Sequence, residues 1–117
     1  MNKFLAFPEL ATLAIVAAQN PEGFTFNLHT MNYQKSGYAV ACKETQNSFG
    51  REGLAKVLAY CINNDVECVG GWYDSESGNY YFDATRIVKD REEAILLGRA
   101  NDQLAIFDLD SLEEIRF

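Results

Sequence analysis

The sequence predicts an α+β domain: a single, mainly antiparallel sheet of five to six strands, with about three helices packed largely on one face. Three features carry this expectation. Short runs alternate apolar and polar residues at a spacing of two and are separated by turn-forming residues. Runs with helical apolar spacing interleave with them, in the order helix, hairpin, helix, hairpin, helix, terminal hairpin. A length of 117 residues with 48% hydrophobic content suits one domain, able to bury a core without disulfides or a structural metal. That domain is expected over 1–117, with an N-terminal apolar helix within 1–21 and the sheet with two helices in 23–117.

The first helix begins at Pro8, whose missing N–H costs nothing at the first helical position, and Glu9 favours the positive end of the helix dipole. Leu10, Leu13, Ala14, Val16 and Ala17 follow, and Asn20-Pro21 stops it. The start of the chain, MNKFLAFPELATLAIVAAQ, has the flavour of a leader. Pro8 and Glu9 leave an apolar stretch only from Leu10 to Ala18, shorter than the ~20 residues that span a bilayer, so an uncleaved helix is expected. It is apolar nearly all round, so core or a second copy of the chain is expected to cover it.

FTFNLHT places Phe24, Phe26 and Leu28 on one face of a strand. YAVACK places Tyr38, Val40 and Cys42 on one face and Ala39 and Ala41 on the other. These two strands are expected to pair as a hairpin across the polar loop MNYQKSG. ETQNSFG then leads into a helix capped by Asn47 or Ser48, with Leu54, Val57, Leu58, Cys61 and Ile62 on its buried face and Asn63-Asn64-Asp65 at its end. Strands over 66–73 and 79–87 flank the loop Ser75-Glu76-Ser77-Gly78. That loop pairs Asp74 with Asn79, Tyr73 with Tyr80 and Trp72 with Tyr81. Val69, Tyr73, Tyr80, Phe82 and Ala84 then share the core face, and Trp72, Tyr81 and Asp83 share the other with Gly70. A bulge at Gly70-Gly71 would reverse the faces. Asp90 caps a third helix, REEAILLGRAN, with Glu93 three residues on. QLAIFDL, a turn at Asp110-Ser111, and EEIRF complete the chain.

Charge and composition narrow the function classes. Ten basic and 17 acidic residues give a net charge of −7. Direct nucleic-acid binding is not expected, because affinity for phosphates comes from Lys and Arg displacing counterions, and adsorption to an anionic membrane is disfavoured for the same reason. The acidity does allow a DNA mimic, if the carboxylates form one continuous surface. Three cysteines, Cys42, Cys61 and Cys68, lie in apolar runs with no CxxC, which points to buried free thiols in a reducing cytoplasm. With one histidine, a multi-histidine metal site is impossible within one chain. DLDSLEE fails the calcium-loop pattern at Leu112 and Glu113. No cofactor motif and no metal site is expected. His29 falls on the solvent phase of its strand, opposite Cys42, so no catalytic pair is assembled and no catalytic residue is assigned.

Two candidate binding regions remain. Trp72 and Tyr81, beside Asp83, form a flat platform if their sheet face is open, and are core if a helix covers it. The loop Thr45–Gly50 brings Asn47 and Ser48, with Arg51 behind them, to a helix N-terminus that can cap itself or hold an anion.

GGWYDSESGNYYFDA followed by EEAILLGRANDQLAIFDLDSLEEI resembles small bacterial domains of no assigned activity, some associated with phage and conjugative elements. The likeness lies in a glycine–tryptophan–acid turn before a tyrosine-rich strand, then a helix running into QLAIFDL, and it covers roughly Phe24 to Ile115. It implies a context rather than a mechanism, and adds slightly to the expectation of a role in binding another protein. A non-enzymatic interaction domain with an unidentified protein partner, using the 69–84 hairpin and the 45–50 loop, is the leading expectation. A small-ligand binder or enzyme using a pocket of His29, Asp83, Trp72 and the 45–50 loop is the alternative. A concave pocket at those residues would favour the alternative, and a flat or covered face the interaction domain.

Overall fold

A computed structural model describes residues 8–117, so any reading of the chain's first seven residues lies outside the described residues. The elements are α1 (Pro8–Gln19), β1 (Gly23–Asn27), β2 (Asn32–Tyr33), β3 (Tyr38–Ala41), β4 (Ser48–Phe49), α2 (Gly50–Asn64), β5 (Cys68–Asp74), β6 (Asn79–Val88), α3 (Arg91–Ala100), β7 (Ala105–Asp108) and β8 (Glu113–Arg116). They form the expected α+β architecture. A single sheet runs β2-β1-β5-β6-β3-β7-β8, with β4 alongside β6, and every pairing is antiparallel. The strand number exceeds the expected five to six because two polar loops each contribute a two-residue strand, β2 and β4.

The β5–β6 hairpin has the predicted register, Trp72 opposite Tyr81 and Asp74 opposite Asn79, and it runs unbroken to Cys68 opposite Thr85 without a bulge. The two glycines serve close approach instead. A Cβ at position 71 would sit 2.3 Å from the Phe24 ring and 2.8 Å from the Tyr80 ring, which cross over it. A Cβ at position 70 would sit 2.7 Å from Asp83 Oδ1 and 2.8 Å from Thr85 Oγ1. One glycine makes room for the core, the other for a carboxyl on the opposite face.

The expected β1–β3 hairpin does not form. One edge of β1 is taken by β2 and the other by β5, which leaves no edge for β3. β3 instead lies between β6 and β7. Nearest-neighbour reasoning selected the partner closest in sequence, whereas β5 offers Val69 and Gly71 opposite Phe26 and Phe24.

The helices cover one face. Leu13 and Val16 of α1 and Leu54, Val57, Leu58 and Cys61 of α2 pack with Phe26, Cys42, Val69, Phe82 and Ala84. Each fully buried aliphatic side chain contributes about 1.5–3 kcal/mol, so Leu13 and Val16 hold α1 in place. Ala94 of α3 meets Val40 and Ile106 in a second cluster on the same side. Two apolar residues expected in the core are exposed: Ile62, at 41%, lies at the margin of the α2 face, and Tyr73, at 49%, lies on the core side but near the hairpin tip. In α1, Ile15 is 58% exposed, so the helix is not covered all round.

Helix ends follow local chemistry in part. Asp90 accepts a hydrogen bond from Glu93 N at 2.9 Å, the expected cap of α3, and Asp65 ends α2 in a left-handed turn. The expected cap of α2 is absent. Phe49 occupies the N-cap position, without a side-chain bond. Ser48 Oγ donates to Thr45 O at 2.8 Å, and Ser48 N and O belong to the strand beside Phe82.

Candidate functional site

The helix-free face of the sheet is concave. Residues of both sheet margins, Tyr33 and Gln34 at one side and Glu114 and Arg116 at the other, line the same hollow of about 1080 Å³. A sheet can bring opposite margins to one cavity only by curling around it, as strand twist allows. Small side chains set the depth. Thr25, Ala39, Ala41, Gly70 and Thr85 line it, all on the phase opposite the core.

Trp72 and Tyr81 stand at this face as a directly opposed cross-strand pair. Their ring centroids are 4.8 Å apart with planes 18° from parallel, a stack worth about 0.5–1.5 kcal/mol beyond its area. Phe49 meets Tyr81 edge-on at 5.5 Å, so Tyr81 is held from two sides. Trp72 remains 47% exposed and Phe49 48%. The rings therefore form an accessible wall rather than core, and no helix among the described residues seals them.

Asp83 is two residues from Tyr81 on the same strand face and opposite Gly70. Its side chain is crowded by the sheet yet opens on the hollow. Thr85 Oγ1 donates a hydrogen bond to Asp83 Oδ1, which favours the charged form, but desolvation is the larger effect and raises the carboxyl from 3.8 to about 6. No cationic side chain forms an ion pair with it among the described residues: Arg86 pairs with Glu67 and Arg116 with Glu114. A desolvated carboxyl without a counter-charge, in a concave site, is a recurrent mark of a functional position.

The loop 45–50 divides between two roles. Thr45 and Ser48 are buried. Thr45 Oγ1 accepts a hydrogen bond from Ala84 N at 2.9 Å, filling the gap between β3 and β4 along the edge of β6. Gln46 and Asn47 are exposed and line the hollow, Asn47 with a positive φ of 62°. Of the predicted site residues, Trp72, Tyr81, Asp83 and Asn47 converge on one hollow. Ser48 is committed to the loop's own hydrogen bonding. Arg51 lies elsewhere, beside Leu10, Lys56 and Tyr60 in a smaller cleft of about 640 Å³ between α1 and α2.

His29 does not join the site. It is exposed, with Nε2 3.3 Å from Asp65 Oδ1 at the end of α2. The three thiols are buried, and burial pushes Cys42 up to about 11 and Cys61 and Cys68 up to about 12. Reactive thiolates are thereby disfavoured at neutral pH. No cluster of three or more metal-ligating side chains occurs among the described residues. No helix among them is long and apolar enough to cross a membrane. Sequence reasoning missed Phe49 as the third ring and Thr45 as the residue that completes the β6 edge. Neither carries a sequence signal, because the segment reads as a loop running into a helix and its pairing with β6 is long-range.

Comparison with protein-family models, with curated proteins and with solved structures gives no match to this chain.

Proposed function

We propose that this protein is a non-enzymatic binding domain of the cytoplasm that receives a segment of a partner protein on its concave sheet face. The observation that carries this reading is that the stacked Trp72–Tyr81 pair, the Asp83 carboxyl and Asn47 share one open hollow of about 1080 Å³. Concavity is the feature expected of the small-ligand alternative, but His29 lies outside the hollow, and a volume at or beyond the upper end of the ~300–1,000 Å³ typical of small-molecule sites favours an extended segment over a compact metabolite. Asp83 has neither an imidazole nor a reactive thiol beside it, which favours binding over catalysis. A DNA-mimic role has less support, because carboxylates are divided between the hollow, as Asp74 and Asp83, and the opposite side, as Glu52.

Amide chemical-shift mapping with a library of neutral and charged fragments tests the reading. Perturbations concentrated at Gly70, Trp72, Tyr81, Asp83 and Asn47 are expected. A library that perturbs only the cleft between α1 and α2, leaving the concave face silent, would refute it.

A further inference from the structure

We propose that the segment received in the hollow is basic, and that one of its arginine side chains lies over Trp72 with its guanidinium directed at Asp83. This rests on the concave face being the binding surface, and it adds the chemistry of the occupant.

Charge complementarity is the first support. Glu22, Asp74, Asp83, Asp102 and Glu114 line the hollow, and Arg116 is its one basic lining residue among the described residues; Glu114 is paired with Arg116 at 2.7 Å and Asp102 with Lys43 at 2.8 Å, which leaves Glu22, Asp74 and Asp83 without an ion-pair partner among the described residues. The acids are distributed, not clustered. The unpaired ones, Glu22 and Asp74 toward the β1–β5 side and Asp83 on the neighbouring β6, lie on one half of the hollow, while the acids on the α3–β8 side carry their own basic partners. Such spacing suits more than one positive charge along a chain better than a single small cation.

Local geometry supplies the second support. Trp72 uses one ring face against Tyr81 and is still 47% exposed. Trp72 and Asp83 are diagonal cross-strand neighbours on the same face, a relation that places such residues ~7–8 Å apart. A guanidinium is planar, so it can lie on an indole face while its N–H groups reach a carboxylate, a combination an ammonium matches less well. The space that a side chain at position 70 would fill is taken by Asp83 Oδ1 and Thr85 Oγ1, so Gly70 admits the carboxyl itself. Thr85 occupies one carboxylate oxygen, Oδ1, and no side chain among the described residues donates to the other. An exposed aromatic face beside a carboxylate with one oxygen left without a side-chain donor is what a guanidinium requires.

The test uses an acetylated and amidated glycine-rich heptapeptide carrying two arginines, together with its twin carrying citrulline, which is neutral and nearly isosteric. Trp72 is the only tryptophan, so its emission reports binding directly. Saturable change with the arginine peptide is expected, with the citrulline twin weaker by about tenfold. The variant Asp83→Asn should lose about as much, while Glu92→Gln on the exposed start of α3 should bind as the parent does. Should Asp83→Asn fold poorly, Trp72→Phe followed by chemical-shift mapping supplies the second variant, with binding weakened but the perturbed residues unchanged. Equal binding of the arginine and citrulline peptides would overturn the inference while leaving the concave face as a binding surface. Silence of that face to both peptides, with neutral fragments still perturbing it, would overturn it as well. Silence to peptides and fragments together would overturn the proposed function itself.

Discussion

Replacing Asp83 by asparagine should make the protein more stable at neutral pH, and the gain should vanish in acid. Asparagine keeps an oxygen that accepts the Thr85 hydroxyl bond but cannot ionise. In the parent, folding raises the carboxyl from 3.8 to about 6 through desolvation. The folded state therefore holds the proton more tightly than the unfolded chain. Below 3.8 both states are protonated, and the folded state has its full relative stability from this group. As pH rises through about 6 that contribution is lost, because the folded state must then carry a desolvated charge. At 1.36 kcal/mol per pKa unit the full swing is about 3 kcal/mol. Asp83 opens on a hollow continuous with solvent, so screening reduces this to about 1–3 kcal/mol. Urea unfolding of both proteins at several pH values between 4 and 8, followed by circular dichroism, measures the difference. All other titrating groups are common to the pair and cancel. The asparagine variant should gain on the parent steadily as pH rises from 4 to 7. A stability difference that stays constant over that range, or that reverses sign, would refute the desolvation argument and with it the placement of Asp83.

Three further outcomes follow from packing and burial. Gly71→Ala places a Cβ 2.3 Å from the Phe24 ring and 2.8 Å from the Tyr80 ring, so it should cost about 1–3 kcal/mol in thermal or urea unfolding. Asp90→Ala removes the bond to Glu93 N and should cost about 1 kcal/mol, with exchange of the first α3 amides accelerated more than that of α2 amides. Cys42, Cys61 and Cys68, buried and pushed up to about 11, 12 and 12, should resist a thiol reagent at pH 8 in the native state and react fully in urea; rapid native labelling of all three would contradict their burial.

How far the sequence alone reaches is clearest in the β5–β6 hairpin. A four-residue loop with Gly78 fixed Trp72 opposite Tyr81, and the period of two then sorted every side chain between Val69 and Ala84 to its face. Turn chemistry and alternation are local, and a single chain displays them. The helices α1 and α3 were legible for the same reason, from Pro8 and from Asp90 at their starts. Long-range pairing was not legible. Nothing in FTFNLHT or YAVACK distinguishes a β1–β3 contact from β1 with β5 and β3 with β6, because that choice depends on which sheet edges remain free after the central hairpin forms. The loop before α2 failed for a related reason. Ser48 reads as a helix cap, yet its backbone is claimed by β6, and a residue committed to a strand cannot also turn into a cap. Sheet curvature, which converts a flat platform into a hollow, also has no signature in the alternation of residues.

The fold accepts poor local choices on its concave face. Glycine and aspartate are both unfavourable within strands, the first for its flexibility and lack of packing, the second for its polarity. Here they sit directly opposite each other, Gly70 against Asp83, in the middle of the longest hairpin of the sheet. A face meant only for water would carry long charged side chains, which cover the sheet and keep their charges solvated. A face meant for packing would carry large apolar ones, as Val69 and Phe82 do on the helix side. Around Gly70 and Asp83 this face does neither. Its floor is small, its wall is two stacked rings, and its acid is held where desolvation works against its charge. Sequences compatible with their fold at every level depart from it mainly where function requires. A guanidinium seated on Asp83 would relieve the one electrostatic cost this arrangement carries, so the binding proposal and the predicted pH dependence express the same feature of the protein.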